Sequence, residues 1–303
     1  MNRATLYLIL LAMGLMWGST VPLTKIAVST GHHPWGLIFW QFTISAVLLY
    51  GVARFRRSRF TINRQSVLFF TTVCLIGTLI PNSTSFWAAF HLPGGVMALI
   101  IAMVPMFALV TALVLRLENF QPWRLVGVAL GGVAIALIVL PESSLPDPAK
   151  AIFVFIALIA PLCYGLEASY LALCTPSQTG PVATLFGASV IGILFSAPLV
   201  WWTGSFMNPL NGMGASEFAL VGSSVLHVIA YTTYMTVVAR AGPVFAGQVG
   251  YIVTPAGVIL SILFLNESPS AYLWLALLLL LIGVSMVQPQ QAKSSSVEPV
   301  RPQ

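Results

Sequence analysis

Charged residues are scarce in this chain. Only 7% of its 303 residues are Asp, Glu, Lys or Arg, and 58% are hydrophobic. Soluble domains carry roughly 25% charged residues. The shortage of charge therefore excludes an ordinary soluble domain, and together with a mean hydropathy of +0.95 it indicates an integral membrane protein.

Cysteines and catalytic motifs are also few. The three cysteines, Cys74, Cys163 and Cys174, lie within or at the edge of apolar runs and show no C-x-x-C spacing. This pattern predicts neither a disulfide framework nor a metal site, and we expect no cofactor. The sequence has no Walker A motif and no H-E-x-x-H helix. We therefore expect no ATP-driven transport by this chain alone and no enzymatic activity.

Apolar runs fill most of the sequence. A helix that crosses a bilayer needs about 20 apolar residues, whereas the strands of a membrane barrel alternate in segments of about 10 residues. The runs here are long and unbroken, so we predict an all-α membrane protein with ten transmembrane helices. The predicted spans are 4–29, 34–54, 66–90, 94–115, 122–140, 149–173, 180–203, 215–239, 243–265 and 270–287.

The basic residues fall mainly on one side of these spans. With the N-terminus in the cytoplasm, 11 of the 13 Lys and Arg residues are cytoplasmic, and only Lys25 and Lys150 are outside. Cytoplasmic loops of membrane proteins are enriched in Lys and Arg. We therefore predict the plasma (inner) membrane, with both termini in the cytoplasm. Topology then explains the net charge of +6, and we expect no nucleic-acid partner.

The chain contains an internal repeat. Residues 93–105, PGGVMALIIAMVP, match residues 243–255, PVFAGQVGYIVTP, and each segment has a proline at both ends. After each segment an apolar stretch ends in a glutamate, Glu118 in the first half and Glu267 in the second. Each half therefore carries the same order of motifs.

The opening spans of the two halves also align, with MWGST at 16–20 over CYGLE at 163–167. Each repeat holds five spans, so the two repeats enter the membrane in opposite orientations, as in many secondary transporters that bind substrate between their repeats. Some channels are duplicated as well, so a channel or facilitator is an alternative. The predicted units are a first repeat over 1–140, a periplasmic or extracellular linker over 141–148, a second repeat over 149–287 and a disordered cytoplasmic tail over 288–303.

These features resemble the EamA branch of the drug/metabolite transporter superfamily. The resemblance covers residues 4–287 and rests on W-G-S at 17–19, on a proline in the fourth and ninth spans, on the L-E and N-E pairs that follow, and on a Gly-Val pattern in the fifth and tenth spans. It implies a basket-like bundle with a central cavity that moves small organic metabolites, often outward. Family members often carry an arginine early in the second span, where this chain has Gln41, so no role of that arginine is carried over.

Glu167 is an ionisable residue inside the sixth predicted span, where charge is costly and commonly functional. It lies about 9 Å from the middle of the span at 1.5 Å per residue, and no basic residue stands within one helical turn. One interpretation is a structural carboxyl that burial keeps neutral. The other is a group that takes up and releases a proton or pairs with an ammonium group of the substrate. The sequence leaves both open.

His227 lies near the centre of the eighth span, and Tyr231 and Tyr234 follow on the same helical face. A single histidine here is either a satisfied interhelical donor or a proton relay. The row of hydrogen-bonding rings predicts a cavity wall. Other aromatic rings are candidates for the same pocket, because flat apolar faces and cation–π contacts suit an organic substrate. These rings are Trp17, Trp87, Tyr164 and Tyr251.

Smaller polar residues and prolines complete the predicted site. Thr20 occupies in the first repeat the position that Glu167 occupies in the second, and Lys25 is expected at the outer mouth of the pocket. Asn82 and Gln248 stand near proline bends. A proline inside a span removes a hydrogen bond and bends the helix. Four prolines are therefore candidate hinges: Pro22, Pro105, Pro161 and Pro255.

Together these features predict a secondary transporter that works by alternating access. We expect it to move a small organic solute, amino-acid-like or drug-like, out of the cell, with a proton as the candidate coupling ion. It is expected to lie in a lipid bilayer as a monomer or weak homodimer, and a membrane-embedded enzyme or assembly factor is a further alternative. Charge coupling is assigned to Glu167, His227 and Lys25. The predicted substrate-binding residues are Trp17, Thr20, Asn82, Trp87, Tyr164, Glu167, His227, Tyr231, Gln248 and Tyr251.

Overall fold

The apolar runs form helices, and no β-strand occurs in the part of the chain that the structure describes. The computed structural model describes residues 3–56, 62–141, 145, 147–176, 179–208, 212–241 and 243–287. The helices are α1 (Arg3–Ser29), α2 (Pro34–Phe55), α3 (Arg64–Cys74), a π-helical segment (Leu75–Leu79), α4 (Ile80–His91), α5 (Gly94–Ile101), α6 (Val104–Val114), α7 (Pro122–Val139), a 3-10 turn (Pro148–Lys150), α8 (Ala151–Cys174), α9 (Pro181–Thr203), α10 (Ala215–Ala241), α11 (Pro243–Gly247), α12 (Gly250–Leu265) and α13 (Ala271–Val287).

The ten predicted spans are confirmed. Among the described residues, nine stretches are long and apolar enough to cross a membrane, and α13 is a tenth, shorter apolar helix. Four spans contain more than one helical element, and the sixth begins with the 3-10 turn that precedes α8. In the third, α3 continues through the π-helical segment into α4, while turns at 102–103 and 248–249 separate α5 from α6 and α11 from α12. The predicted tail over 288–303 lies outside the described residues.

The four candidate hinge prolines occupy two kinds of position. Pro22, Pro161 and Pro255 lie inside the continuous helices α1, α8 and α12. Pro105 is instead in the first turn of α6, where a proline needs no backbone hydrogen bond. The break in the fourth span therefore lies directly before its proline, whereas the break in the ninth span lies six residues before Pro255.

Most of the packing joins one half of the chain to the other. α1 packs against α10 and α12, and its counterpart α8 packs against α4 and α6, which are the repeat equivalents of α10 and α12. α2 packs against α9, and α7 packs against α13, so these spans contact their own counterparts. Each of these helix contacts thus has an equivalent contact between the repeat counterparts of the same two helices. This symmetry is expected for inverted repeats related by an axis in the membrane plane. Each repeat therefore buries its apolar faces against the other.

Glycines at equivalent positions permit this close packing. A methyl group added to Gly18 of α1 would lie 2.7 Å from the Cβ atom of Ala256 in α12. A methyl group added to Gly165 of α8 would lie 2.7 Å from the backbone nitrogen of Ala108 in α6. Trp17 and Tyr164, the neighbours of these glycines, are consequently held in equivalent positions of the two halves.

The crossing of α7 and α13 also depends on glycine. A methyl group on Gly127 would lie 2.6 Å from the carbonyl oxygen of Gly283, and one on Gly283 would lie 2.7 Å from the carbonyl oxygen of Gly127. Small residues at membrane helix crossings let the two backbones approach closely. Gly132, one residue beyond the G-x-x-x-G pair of Gly127 and Gly131, faces open space.

The two repeat glutamates have different partners. The Glu267 carboxylate accepts hydrogen bonds from the backbone N–H groups of Gly94 and Gly95, at 2.6 and 3.0 Å, and so caps the N-terminus of α5. Glu118 pairs with Arg124 at 2.8 Å, and Arg124 Nε donates to the carbonyl oxygen of Val287 at 2.9 Å. Both motifs therefore fix helix ends across the repeat interface.

We predict that Gly283→Val destabilises the protein and that Gly132→Val does not. The valine at position 283 would overlap the Gly127 carbonyl, and overpacking of this kind costs about 1–3 kcal/mol. The measurement is the midpoint of thermal unfolding of the purified protein in detergent, which should fall by several degrees for Gly283→Val alone. Equal midpoints for the two variants would contradict the tight α7–α13 crossing.

Candidate functional site

The Glu167 side chain reaches from α8 to the π-helical segment. A methyl group on Gly77 would overlap the Glu167 carboxylate, so the space that the carboxylate fills exists only because residue 77 has no side chain. Gly77 lies near the middle of the span Arg64–His91. Within the described residues, Glu167 forms no hydrogen bond and no ion pair with another protein group. The carboxylate therefore lies deep in the bundle without a charged partner.

The π-helical segment has a local cause in the sequence. Pro81 has no N–H group, and in a regular α-helix that group would bond the carbonyl oxygen of Gly77. Around this position the ladder changes register, and the N–H of Ile80 bonds the carbonyl oxygen of Leu75, five residues earlier. Single π-helical turns inside α-helices are frequently found at functional sites. The irregular turn places Gly77 against Glu167.

A row of rings connects α1 and α10 beside this carboxylate. Trp17 Nε1 donates a hydrogen bond to His227 Nδ1 at 3.3 Å, and the rings of His227 and Tyr231 are stacked with centroids 6.3 Å apart. Tyr231 and Tyr164 are each close enough to Glu167 to interact with it electrostatically. The structure thus brings together five predicted site residues from three spans: Trp17, Tyr164, Glu167, His227 and Tyr231.

The hydrogen bond to Trp17 fixes the protonation state of His227 in this conformation. An indole N–H can only donate, so His227 Nδ1 must accept, and the ring is then neutral with its proton on Nε2. The His227 side chain remains exposed even though it lies in the middle of its span. The site therefore presents a polar but uncharged imidazole.

The rings of Tyr234 and Tyr251 pack in two different apolar clusters. Tyr234 packs against Trp17, with ring centroids 5.6 Å apart, in a cluster with Met13 and Val249. Tyr251 packs against the main hydrophobic core. Gln248 lies in the turn between α11 and α12, where its carbonyl accepts from the Tyr251 N–H. Of these residues, Tyr234 alone has a described contact with the row of rings, and the binding roles of Gln248 and Tyr251 stay predictions.

Three other predicted site residues have their own local partners. Asn82 Nδ2 donates to Gln41 Oε1 at 2.7 Å, which links the second and third spans. The Thr20 hydroxyl donates to the Trp17 carbonyl of its own helix at 2.6 Å. Trp87 is exposed, and its ring contacts the ring of His33, which precedes α2. Their binding roles stay predictions.

Lys25 caps a helix end. Its ammonium group donates to the carbonyl oxygens of Ala89 and Phe90, at 2.6 and 3.3 Å, in the last turn of α4. A cation at a helix C-terminus is favoured by the free carbonyls and by the helix dipole. Lys25 thus joins the ends of the first and third spans, and its role in charge coupling stays a prediction.

Gly77 is the one important member of this site that the sequence reasoning did not select. A signal was present, since Pro81 follows four residues later and removes the hydrogen bond of the Gly77 carbonyl. The sequence does not indicate the contact between Gly77 and Glu167, because the two residues are 90 positions apart.

Comparison with known proteins decides the family. The model of the EamA-like transporter family matches residues 4–140 and again residues 151–288. The chain belongs to the EamA-like transporter family. A solved crystal structure is similar to this EamA-like protein with a TM-score of 0.64 and 17% identity, covering 94% of this chain and 96% of that chain. No curated protein matches the chain.

Family membership gives the fold of the protein and the general class of its activity. This EamA-like chain is a multi-pass membrane protein with two inverted five-helix repeats, in a family of membrane transporters for small solutes. The similarity to the solved structure supports the fold alone. The residues around Glu167 are therefore considered below on their own chemistry.

We predict that Trp17 and His227 are energetically coupled. Trp17→Phe removes the N–H donor and His227→Phe removes the acceptor, so the double variant should be less destabilised than the sum of the single variants by about 0.5–1.5 kcal/mol. The measurement is equilibrium unfolding in mixed micelles. Trp40→Phe is the matched control, because Trp40 Nε1 donates to the Met207 carbonyl at 2.9 Å instead. Additive effects of the Trp17 and His227 variants would contradict the hydrogen bond.

Proposed function

We propose that this EamA-like protein is a secondary transporter that binds a small organic solute beside Glu167 and exposes it alternately to the two sides of the membrane. The observation that carries the proposal is an unpaired carboxylate deep in the bundle, which lies against Gly77 of the π-helical segment and interacts electrostatically with Tyr164 of α8 and Tyr231 of α10. A buried ionisable group without a partner is costly, and a solute or proton that neutralises it supplies the compensation. Amino-acid-like and drug-like solutes both fit this site.

The repeat architecture supports alternating access. Spans pack mainly on spans of the other repeat, so a shift of one repeat changes the surroundings of the site between them. The helix breaks at 102–103 and 248–249 do not fall at equivalent positions, since residues 98–99 correspond to 248–249 and lie inside α5. The two halves therefore differ in conformation. An exchange of these conformations, with Pro22, Pro105, Pro161 and Pro255 as hinges, would open the opposite face.

We propose that the transporter exports its solute in exchange for protons. We assign proton exchange to Glu167 and His227. From the distribution of Lys and Arg we propose that the protein lies in the plasma (inner) membrane with cytoplasmic termini. In this exchange a proton that binds Glu167 from the outside displaces the bound solute to the outside, and the proton is released to the cytoplasm after the site has changed its access. Cys163, Tyr164 and Tyr231 are the other titratable groups that interact with Glu167.

The test is transport by purified protein in proteoliposomes, with a panel of radiolabelled amino acids and aromatic amines. Wild-type uptake should saturate and show counterflow, and Glu167→Gln should abolish both the uptake and its dependence on pH. Glu217→Gln is the matched control, because Glu217 lies at the start of α10, where it pairs with His32 at 2.7 Å.

Two outcomes would contradict the proposal. Uptake by Glu167→Gln with the wild-type rate and pH dependence would remove Glu167 from the site. A flux that neither saturates nor shows counterflow would identify a channel or facilitator instead of a carrier.

A further inference from the structure

We infer that the site selects organic amines in their ammonium form, with Glu167 as the counter-ion and Gly77 as the residue that positions it. The inference rests on the proposed transport function and narrows its substrate class. Three features of the described residues carry it: the charge balance of the site, the chemistry of its walls and the position of the carboxylate.

The first feature is that, among the described residues, no basic side chain balances the charge of Glu167. The basic side chains nearest to the interior of the bundle are already engaged, since Lys25 bonds the Ala89 and Phe90 carbonyls and Arg124 pairs with Glu118. Within the described chain, no Lys, Arg or His forms an ion pair with Glu167. A solute carboxylate at this site would face Glu167 with no fixed positive charge to balance it. A solute ammonium group would supply the charge that the site lacks.

The aromatic and imidazole side chains around the carboxylate also favour a solute with an ammonium group. His227 is neutral in this conformation because its Nδ1 accepts from Trp17. Tyr164 and Tyr231 lie beside the carboxylate, and Trp17 adjoins His227. Aromatic faces attract cations, most strongly where water is excluded. An ammonium group attached to an apolar body therefore finds a counter-ion and ring faces in one place.

Gly77 determines where the carboxylate stands. Any side chain at position 77 would overlap it, as the position of a methyl group there shows. A side chain at position 77 would therefore displace the carboxylate from the place where the ammonium group would meet it. Gly77 is thus a positioning residue, and its effect should be reversible by shortening the acid.

The first experiment compares four solutes that share one ring and differ in charge: 2-phenylethylamine, L-phenylalanine, 3-phenylpropionate and 3-phenylpropan-1-ol. The readout is the rise in the thermal unfolding midpoint of the purified wild-type protein at neutral pH, since a ligand that binds the folded state stabilises it. The amine should stabilise the protein most, the propionate should have no effect, and Glu167→Gln should lose the response to the amine.

The inference is overturned if the propionate or phenylalanine stabilises the protein as much as the amine, if the amine response persists in Glu167→Gln, or if the amine gives no response. These results leave the proposed transport function standing, because counterflow is measured separately and with solutes of every charge. Conversely, binding of the amine without counterflow would overturn the transport function and retain the amine site. Size-exclusion chromatography and the ligand-free midpoint verify that each variant is folded.

The second experiment tests Gly77. Gly77→Ala should weaken binding of 2-phenylethylamine by about tenfold or more, the loss expected when a charge-assisted contact is displaced. Adding Glu167→Asp to Gly77→Ala should restore most of the affinity, because aspartate is shorter by one methylene. Gly132→Ala is the matched control, since nothing lies within 4 Å of a methyl group there. Unchanged affinity in Gly77→Ala, or equal loss in Gly77→Ala and in the double variant, would overturn the positioning role.

Discussion

A carboxyl group in the interior of a membrane protein has few ways to lower its free energy. By insertion scales, a charged residue at the centre of a membrane helix costs roughly 2.5–3.5 kcal/mol, and that cost persists unless a partner neutralises the charge. Glu118 has Arg124, Glu217 has His32, and Glu267 has two backbone N–H groups. Within the described residues Glu167 forms no such pair, and its carboxylate lies against Gly77 and near Tyr164 and Tyr231. Solute or proton binding at Glu167 is the compensation on which our account of function depends.

The packing of the two repeats on each other determines the surroundings of Glu167. Helices of one repeat pack mainly on helices of the other, and glycines such as Gly18 and Gly165 occupy equivalent crossings. The same backbone framework therefore surrounds two chemically different positions, Thr20 in the first half and Glu167 in the second. Thr20 satisfies its hydroxyl within its own helix, whereas Glu167 cannot. The two repeats therefore share a backbone framework and differ in charge at this position, and we propose that Glu167 is the binding group.

Much of this could be predicted from the sequence, because its signals are local. The lengths and spacing of the apolar runs indicate the ten spans, and the paired prolines and glycines indicate the repeat. The site is less predictable. The tyrosines follow His227 at helical spacing, so their common face was visible, but the hydrogen bond to Trp17 spans 210 positions. The hydrogen bonds from Lys25 to the end of α4 and the contact of Gly77 with Glu167 are tertiary contacts that no local pattern indicates, and the expected place of Lys25 at the outer mouth stays a prediction.

The most direct test of the central role of Glu167 is its chemical reactivity. A hydrophobic carbodiimide adds to carboxyl groups in apolar surroundings, and mass spectrometry of the digested protein measures the rate of addition at each acidic residue. The account predicts that Glu167 is modified, that 2-phenylethylamine slows this modification, and that the amine does not change the reactivity of Glu118 or Glu267. Failure of Glu167 to react, or the same rate of reaction with and without the amine, would contradict a solute site at this carboxylate.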